Sequence, residues 1–296
     1  MSDNCNLCGS QEFELLKSEL RDEKTKFKIF RCRNCDHIQL LPRPTKEEDK
    51  EYYNRNLQDK NREKEIDYEK LKINNEFDTK RHVNLIQELC NNTNCSILDI
   101  GAGYGFFINE LNQAGYKDVT GIETSYERRS LALQYGTAQV INFDVNKPDR
   151  DIGEFNVVTL FHVLEHVSDP IMFLKKIRNL IKSTGILICE VPNIREMLLD
   201  NCKEYNDFYW IRAHLNYFGK ETLLQCFKKA EYRNVEIVFE QRYGLINLCN
   251  WLTTGNPQIE MPVFDICDDY KPVEALYRNY LRSNGRSDTI IAIARL

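Results

Sequence analysis

Ile97-Leu98-Asp99-Ile100-Gly101-Ala102-Gly103-Tyr104-Gly105 is the stretch on which the reading of this chain turns. A short apolar strand, Ser96–Ile100, runs into three glycines at alternate positions and then into a helical stretch, Gly105–Ala114. Glycine adopts left-handed backbone without a steric penalty, so the run can turn tightly and let a ligand lie against the main chain. The dinucleotide fingerprint Gly-x-Gly-x-x-Gly is not met, because its third glycine falls on Phe106. Asp99, just ahead of the turn, suits a cationic ligand better than a pyrophosphate. Glu123 follows 22 residues after Gly101, at the end of the next strand, Val119–Ile122. A carboxylate there can take both hydroxyls of a ribose.

The same texture continues outward. Ser125–Tyr135 reads as a helix capped by Ser125, Gln139–Asn142 and Asn156–Phe161 as strands, and Pro170–Ile181 as an amphipathic helix with proline in its first turn. Gly185–Val191, Asn234–Phe239 and Thr289–Ala294 read as further strands. Apolar strands alternating with helices imply an α/β fold, a parallel sheet covered on both faces. Residues 195–230 and 240–288 show no clear period. Upstream, residues 45–91 are highly charged, carry Tyr52, Tyr53 and Tyr68, and read as a helical lid or linker.

Residues 1–44 have a different grammar. Cys5-x-x-Cys8 and Cys32-x-x-Cys35 flank two strand-like stretches, Phe13–Leu16 and Phe27–Phe30. Two such turns offer four thiolates to a tetrahedral ion, a closed and therefore structural zinc site. A unit this small needs such a staple to fold. The other seven of the eleven cysteines, Cys90 and Cys95 among them, show no comparable pairing and read as ordinary thiols.

Across its 296 residues the chain has 40 Lys and Arg against 45 Asp and Glu, a net charge of −5. That balance argues against a dedicated nucleic-acid binder. No apolar run is long enough for a membrane helix and no secretory signal opens the sequence, so the expected compartment is the cytoplasm.

The segment His162-Val163-Leu164-Glu165-His166 satisfies the inverted zinc-protease pattern H-x-x-E-H. Its position argues against that use, since His162 ends a buried strand instead of lying inside a helix. The carboxyl ends of strands are where open α/β sheets bind ligands.

Taken together, these residues resemble the S-adenosylmethionine site of class I methyltransferases, over roughly residues 75–240. The resemblance implies a Rossmann-like seven-stranded methyltransferase sheet with helices on both faces. It divides the chain into a zinc ribbon (1–44), a helical lid (45–91) and a methyltransferase domain (92–296). It assigns Asp99, Gly101, Gly103 and Gly105 to the amino-acid part of the cofactor and Glu123, with Thr124, to the ribose. Phe143 and Asp144 would meet the adenine, and Phe161 and His162 would line the cofactor side. The ribbon, Pro42-x-Pro44-Thr45, Tyr52-Tyr53 and the methyltransferase domain together resemble bacterial proteins of sugar and surface-polysaccharide clusters. The expected partner is therefore a small, sugar-derived acceptor.

Methyl transfer from a sulfonium is an in-line displacement, so positioning matters most. A hydroxyl nucleophile also needs a base, and histidine is the natural one. His214 and His166 are the candidates, with Glu165 orienting a histidine or binding substrate. Glu190 and Asn193, at the end of the fifth strand, could face the acceptor, though Glu190 reads equally as a solvated strand end. Sugar C-methyltransferases of the family usually carry glutamate just before the last histidine, where this chain has Ala213. That weakens C-methylation and favours O-methylation, with a sugar C- or N-methyltransferase as the alternative. Two rival readings are an RNA methyltransferase whose ribbon grips RNA through Lys24, Lys26 and Lys28 on one strand face, and a vestigial, non-catalytic interaction protein. The ribbon holds eight Lys or Arg against seven Asp or Glu, a modest charge for phosphate binding. The intact glycine and acid set argues against a relic.

Overall fold

The structure is a computed structural model, described here for residues 4–21, 26–54, 67–258 and 267–296. The central sheet is built from β4 (Ile97–Ile100), β5 (Val119–Ile122), β6 (Gln139–Ile141), β7 (Phe155–Phe161), β8 (Ile181–Pro192), β10 (Asn234–Glu240) and β11 (Thr289–Arg295). Their spatial order is β10-β11-β8-β7-β4-β5-β6. The strands from β8 to β6 are parallel, and the order reverses beside β4, where β4 pairs with both β5 and β7. Ligand crevices form at that switch point in doubly wound sheets. The expected seven-stranded sheet with helices on both faces is present, with one antiparallel strand: β11 runs antiparallel to both β8 and β10, so the sheet is mixed.

Both faces are covered, which is why the strands read as continuous apolar runs. Leu98, Val158, Leu160, Leu187 and Cys189 point to one face, under α5 (Pro170–Arg178) and α8 (Lys220–Lys229), and meet Phe173, Leu174, Leu223 and Phe227. Ile97, Val157, Ile186 and Ile188 point to the other, under α2 (Tyr68–Leu89) and α3 (Phe106–Gln113), and meet Val83, Ile86, Phe107 and Ile108. Local signals set the helix starts. Ser125 accepts from the Arg128 amide ahead of α4 (Tyr126–Tyr135), and Asp169 accepts from the Met172 amide with Pro170 in the first turn of α5. The regions without a clear period hold α6 (Met197–Asn201), α7 (Lys203–Tyr209), α8, α9 (Leu245–Thr254) and α10 (Lys271–Ser283).

A second, antiparallel sheet has the order β1-β2-β3-β9: β1 (Phe13–Lys17), β2 (Lys28–Cys32), β3 (Ile38–Leu41) and β9 (Asn216–Tyr217). The third and fourth strands were not legible in the sequence. β9 comes from the segment after β8, in register Ile38 to Tyr217 and Gln39 to Asn216. A small core of Leu20, Phe27, Ile29, Ile38 and Leu40 closes over Trp210, Leu215 and Tyr217. The N-terminal sheet is thus sewn to the segment that carries His214. Of the three lysines expected on one strand face, Lys28 begins β2, Lys26 precedes it and pairs with Glu48 at 2.6 Å, and Lys24 lies outside the described residues.

In the segment expected to form a lid, α1 (Lys46–Asn54) starts with a capping box: Thr45 Oγ1 accepts from the Glu48 amide and Glu48 Oε2 from the Thr45 amide. Tyr52 is buried, and the Arg212 guanidinium lies 5.0 Å from its ring. The side chain of Tyr53 lies outside the described residues. Cys90 and Cys95 are joined by a disulfide, which corrects the expectation that both are ordinary thiols. Among the described residues no helix is long and apolar enough to cross a membrane.

Candidate active site

The glycine bend sits at the carboxyl end of β4. Gly101, Gly103 and Gly105 all have positive φ (86°, 55° and 78°), a backbone that side-chain-bearing residues rarely adopt. A Cβ on Gly101 would stand 2.6 Å from Val163 Cγ2, so the bend and the turn after β7 are in direct contact. The Glu123 carboxylate organises the far side: one oxygen accepts from the Gly103 amide (3.0 Å), the other from the Ser125 amide (2.7 Å). Thr124 beside it is exposed. Of the three glycines, Gly103 alone has open space where a Cβ would stand, with no heavy atom nearer than 4.0 Å, which fits the close approach of a nucleoside there.

Asp99 is buried beneath the bend and accepts a 2.7 Å hydrogen bond from Thr159 Oγ1. Burial raises its pKa to about 7, against the Thr159 bond and with a further push from the Glu123 charge. A half-ionised, desolvated carboxyl is suited to receiving an ammonium group. Phe143 is buried in the core with the Arg150 guanidinium 5.7 Å from its ring centre, while Asp144 is exposed and accepts from the Asn146 amide.

The remaining candidates converge on the ends of β7 and β8. His162, at the end of β7, has a left-handed φ of 55°, and its amide donates to the Glu190 carbonyl. Its Nδ1 lies 3.3 Å from Glu165 Oε1, and its Nε2 lies 3.0 Å from Glu190 Oε1, though out of line for a hydrogen bond. Burial alone would lower the His162 pKa, but the two carboxylates outweigh it and raise it to about 9. Glu165 and His166 lie on a single 3-10 turn, Leu164–His166. His166 Nδ1 is 2.9 Å from the Ala213 carbonyl, which can only accept, so Nδ1 carries the proton and neutral His166 keeps a bare Nε2. The His214 ring lies edge-on to His166, with centroids 5.0 Å apart. Burial, then the neighbouring His166, pushes His214 down to about 3, while Glu165 pulls it the other way.

Asn216 explains how His214 reaches this place. Its side-chain oxygen accepts from Asn6 Nδ2 (3.0 Å) in the N-terminal sheet and lies 3.1 Å from His37 Nε2. Its side-chain nitrogen donates to the Val167 carbonyl (2.7 Å). The Leu215 amide donates to the Glu165 carbonyl (2.8 Å). The segment 214–217 is thus held between the cysteine-bearing sheet and the turn that carries Glu165 and His166.

Two residues that the sequence does not single out, Arg81 and His82, meet Glu190 at this place. Arg81, on α2, makes a bidentate pair with Glu190, both bonds 2.7 Å, and His82 stacks on Phe161 at 3.6 Å with Nε2 3.2 Å from the Glu190 carboxylate. Asp78 bonds both Arg81 and Arg242, so α2 is locked onto the strand ends by a buried chain of charges. Despite full burial, His82 and Arg81 hold the Glu190 carboxyl well below its usual range. This overturns the reading of Glu190 as a solvated strand end. The Asn193 side chain is buried and held by the protein itself: it donates to the carbonyls of Gly285 and Ser287 and accepts from the Arg195 amide. The dense charge of residues 45–91 does not single out Arg81, because its role depends on a partner 109 residues away.

The four N-terminal cysteines meet at one point. Their sulfurs lie within 4.8 Å of one another, with Cys5 to Cys35 and Cys8 to Cys32 each at 3.5 Å. Four thiolates about 2.3 Å from one zinc ion form a tetrahedron with edges of roughly 3.8 Å, so the set fits such an ion.

A methyltransferase-domain family matches residues 49–237. Among curated proteins, the chain is 28% identical over 170 residues to a ubiquinone biosynthesis O-methyltransferase of Actinobacillus pleuropneumoniae, covering 54% of this chain and 64% of that one. It is 30% identical over 107 residues to the protein of that name from Haemophilus ducreyi, covering 33% and 45%. The matches therefore span less than two thirds of either relative. Among solved structures, a SAM-dependent methyltransferase from Archaeoglobus fulgidus superposes with a TM-score of 0.50 at 17% identity, covering 78% of this chain and all of that one. A SAM-dependent methyltransferase from Thermotoga maritima does so with a TM-score of 0.50 at 16% identity, covering 77% and 93%. Both likenesses concern the fold.

Proposed function

Because the chain belongs to the methyltransferase-domain family, we propose that it transfers a methyl group from S-adenosylmethionine to a hydroxyl of a small polar acceptor: a sugar, a sugar nucleotide or a related surface-glycan precursor. The observation that carries this reading is the convergence of His162, Glu165, His166 and His214 beside the glycine bend. S-adenosylmethionine supplies an electrophilic methyl group. Asp99 and the bend receive its amino-acid end, and Glu123 its ribose, in place of the amides that the carboxylate now holds. On the acceptor side His214 is neutral, the form that accepts a proton. The Glu165 carboxylate behind it favours the imidazolium that forms. An imidazole so desolvated is a weak base, so proton removal has to accompany methyl transfer instead of preceding it. The His166 ring, fixed by Ala213, holds the opposite wall.

Oxygen as the acceptor atom draws support from Ala213, which stands where the C-methylating relatives carry glutamate, and from the O-methyltransferase names of the curated relatives. The four-cysteine unit, residues 1–44, is read as a zinc ribbon whose sheet positions the His214 segment, and residues 45–91 as a lid. An acceptor panel scored for the mass gain of one CH₂ tests the activity. His214→Ala should lower turnover about 100-fold or more while S-adenosylmethionine still binds. Near-normal turnover would clear His214 of the base role.

A further inference from the structure

We propose that Glu165, His166 and His214 form a three-ligand site for a divalent transition-metal cation, separate from the four-cysteine site. One donor atom from each lies within 4.8 Å of the other two. Donors about 2.1 Å from one tetrahedral ion stand roughly 3.4 Å apart, so small rotamer adjustments close the set.

Two buried atoms call for a ligand. Glu165 is only 1% exposed, and its Oε2 has no hydrogen-bond partner; His214 Nδ1 has none either. Buried polar atoms are almost always paired, and those that are not point to an ion or a water. His166 adds an independent observation. Its Nδ1–H donates to the Ala213 carbonyl, the outer-shell contact that orients metal-binding histidines and leaves Nε2 free as a ligand. The frame is rigid, because the Leu215 amide ties the His214 segment to Glu165 and Asn216 ties it to Val167.

The donor set decides the ion. Two imidazoles and one carboxylate suit zinc, iron, cobalt or nickel better than calcium or magnesium, which prefer all-oxygen shells. Three protein ligands leave a coordination position for an acceptor oxygen, and with the ion bound the cation, in place of the His214 imidazole, would make that hydroxyl acidic. That last use rests on the methyltransferase reading, whereas the cation site does not. The H-x-x-E-H motif also enters in a new way. His166 finds its metal-binding partner in His214, 48 residues on, while His162 stays between Glu165 and Glu190.

Full-length protein produced in cobalt-supplemented medium tests the site, with cobalt as the probe. The expected result is two cobalt ions per chain. One shows the intense thiolate-to-cobalt charge-transfer bands of the four-cysteine site. The other shows only the weaker ligand-field bands of nitrogen and oxygen donors. His214→Ala and Glu165→Gln should each lose the second ion and keep the first, whose thiolate bands also report that the variant is folded. A single cobalt per chain in the wild type, with only thiolate bands, would overturn the site, and so would a second ion that persists in both variants. The wild-type count decides even if a variant fails to fold. Calorimetry with S-adenosylmethionine on the same preparations separates the two readings. Nucleoside binding with one cobalt leaves the methyltransferase reading standing and removes the cation site, whereas two cobalt ions without nucleoside binding does the reverse.

Discussion

Asp99 offers the sharpest handle on the cofactor pocket. Its carboxyl is pushed from the ordinary 3.8 to about 7, chiefly by burial, with the Thr159 bond opposing and Glu123 adding to the rise. The ammonium of the cofactor is best received by the ionised form. With a pKa of about 7, the carboxyl is roughly one-tenth ionised at pH 6 and half ionised at pH 7. The apparent affinity for S-adenosylmethionine should therefore rise about fivefold over that interval. The α-amino group of the ligand, with a pKa of about 7.7–8.0, stays largely charged throughout. The same shift sets a stability trend. The folded, ligand-free protein holds a proton that the unfolded chain has lost between about pH 4 and pH 7, so its stability falls as pH rises through that window. Isothermal calorimetry at pH 6 and 7, in buffers of different ionisation enthalpy, reads both affinity and proton release. Asp99→Asn removes the titrating group; it should flatten the pH dependence and weaken binding by about 10- to 100-fold at pH 7, the worth of a charged hydrogen bond. A wild-type affinity that does not change between pH 6 and 7, or an Asp99→Asn protein with the wild-type slope, would refute this reasoning.

Gly101→Ala places a methyl group 2.6 Å from Val163 Cγ2 on a left-handed backbone; it should cost about 1–3 kcal/mol of stability by thermal denaturation and abolish detectable nucleoside binding by calorimetry. Arg81→Ala strands Glu190 without its bidentate partner, and urea unfolding should show a loss of about 3–5 kcal/mol, with Glu190→Gln in the same background recovering part of it. Cys32→Ser should lose one equivalent of zinc by metal analysis and lower turnover as well, because the cysteine-bearing sheet holds β9 and the His214 segment.

Much of the architecture was legible because it is local. The strands at Ile97, Val119, Gln139 and Asn156 announce themselves as apolar runs, and the bend at Gly101–Gly105 follows from backbone freedom that the residue types alone confer. The antiparallel direction of β11 was not legible, since its apolar run Ile290-Ile291-Ala292-Ile293-Ala294 is buried on both faces whichever way it runs. The helices α6 and α7 were hidden because five and seven residues carry little periodic signal, whereas α8 and α10 are amphipathic and their period was there to be read. β9 was out of reach for a different reason. Two residues, Asn216 and Tyr217, become a strand only because β3 is there to pair with them. At the site, every histidine of the His162, His166 and His214 set was visible by its chemistry. Arg81 and His82 were not, because a charged helix face looks the same whether it meets solvent or a buried carboxylate such as Glu190. Only the tertiary fold brings those groups together.

The most direct measurement is a crystal structure of the full chain with S-adenosylhomocysteine. The expected density has the ribose hydroxyls on Glu123, the amino-acid end over Gly101–Gly105 beside Asp99, and the sulfur facing the side of the pocket that holds His166 and His214. A nucleoside bound elsewhere, or a bend closed by side chains with Glu123 still on the Gly103 and Ser125 amides at saturating ligand, would contradict it.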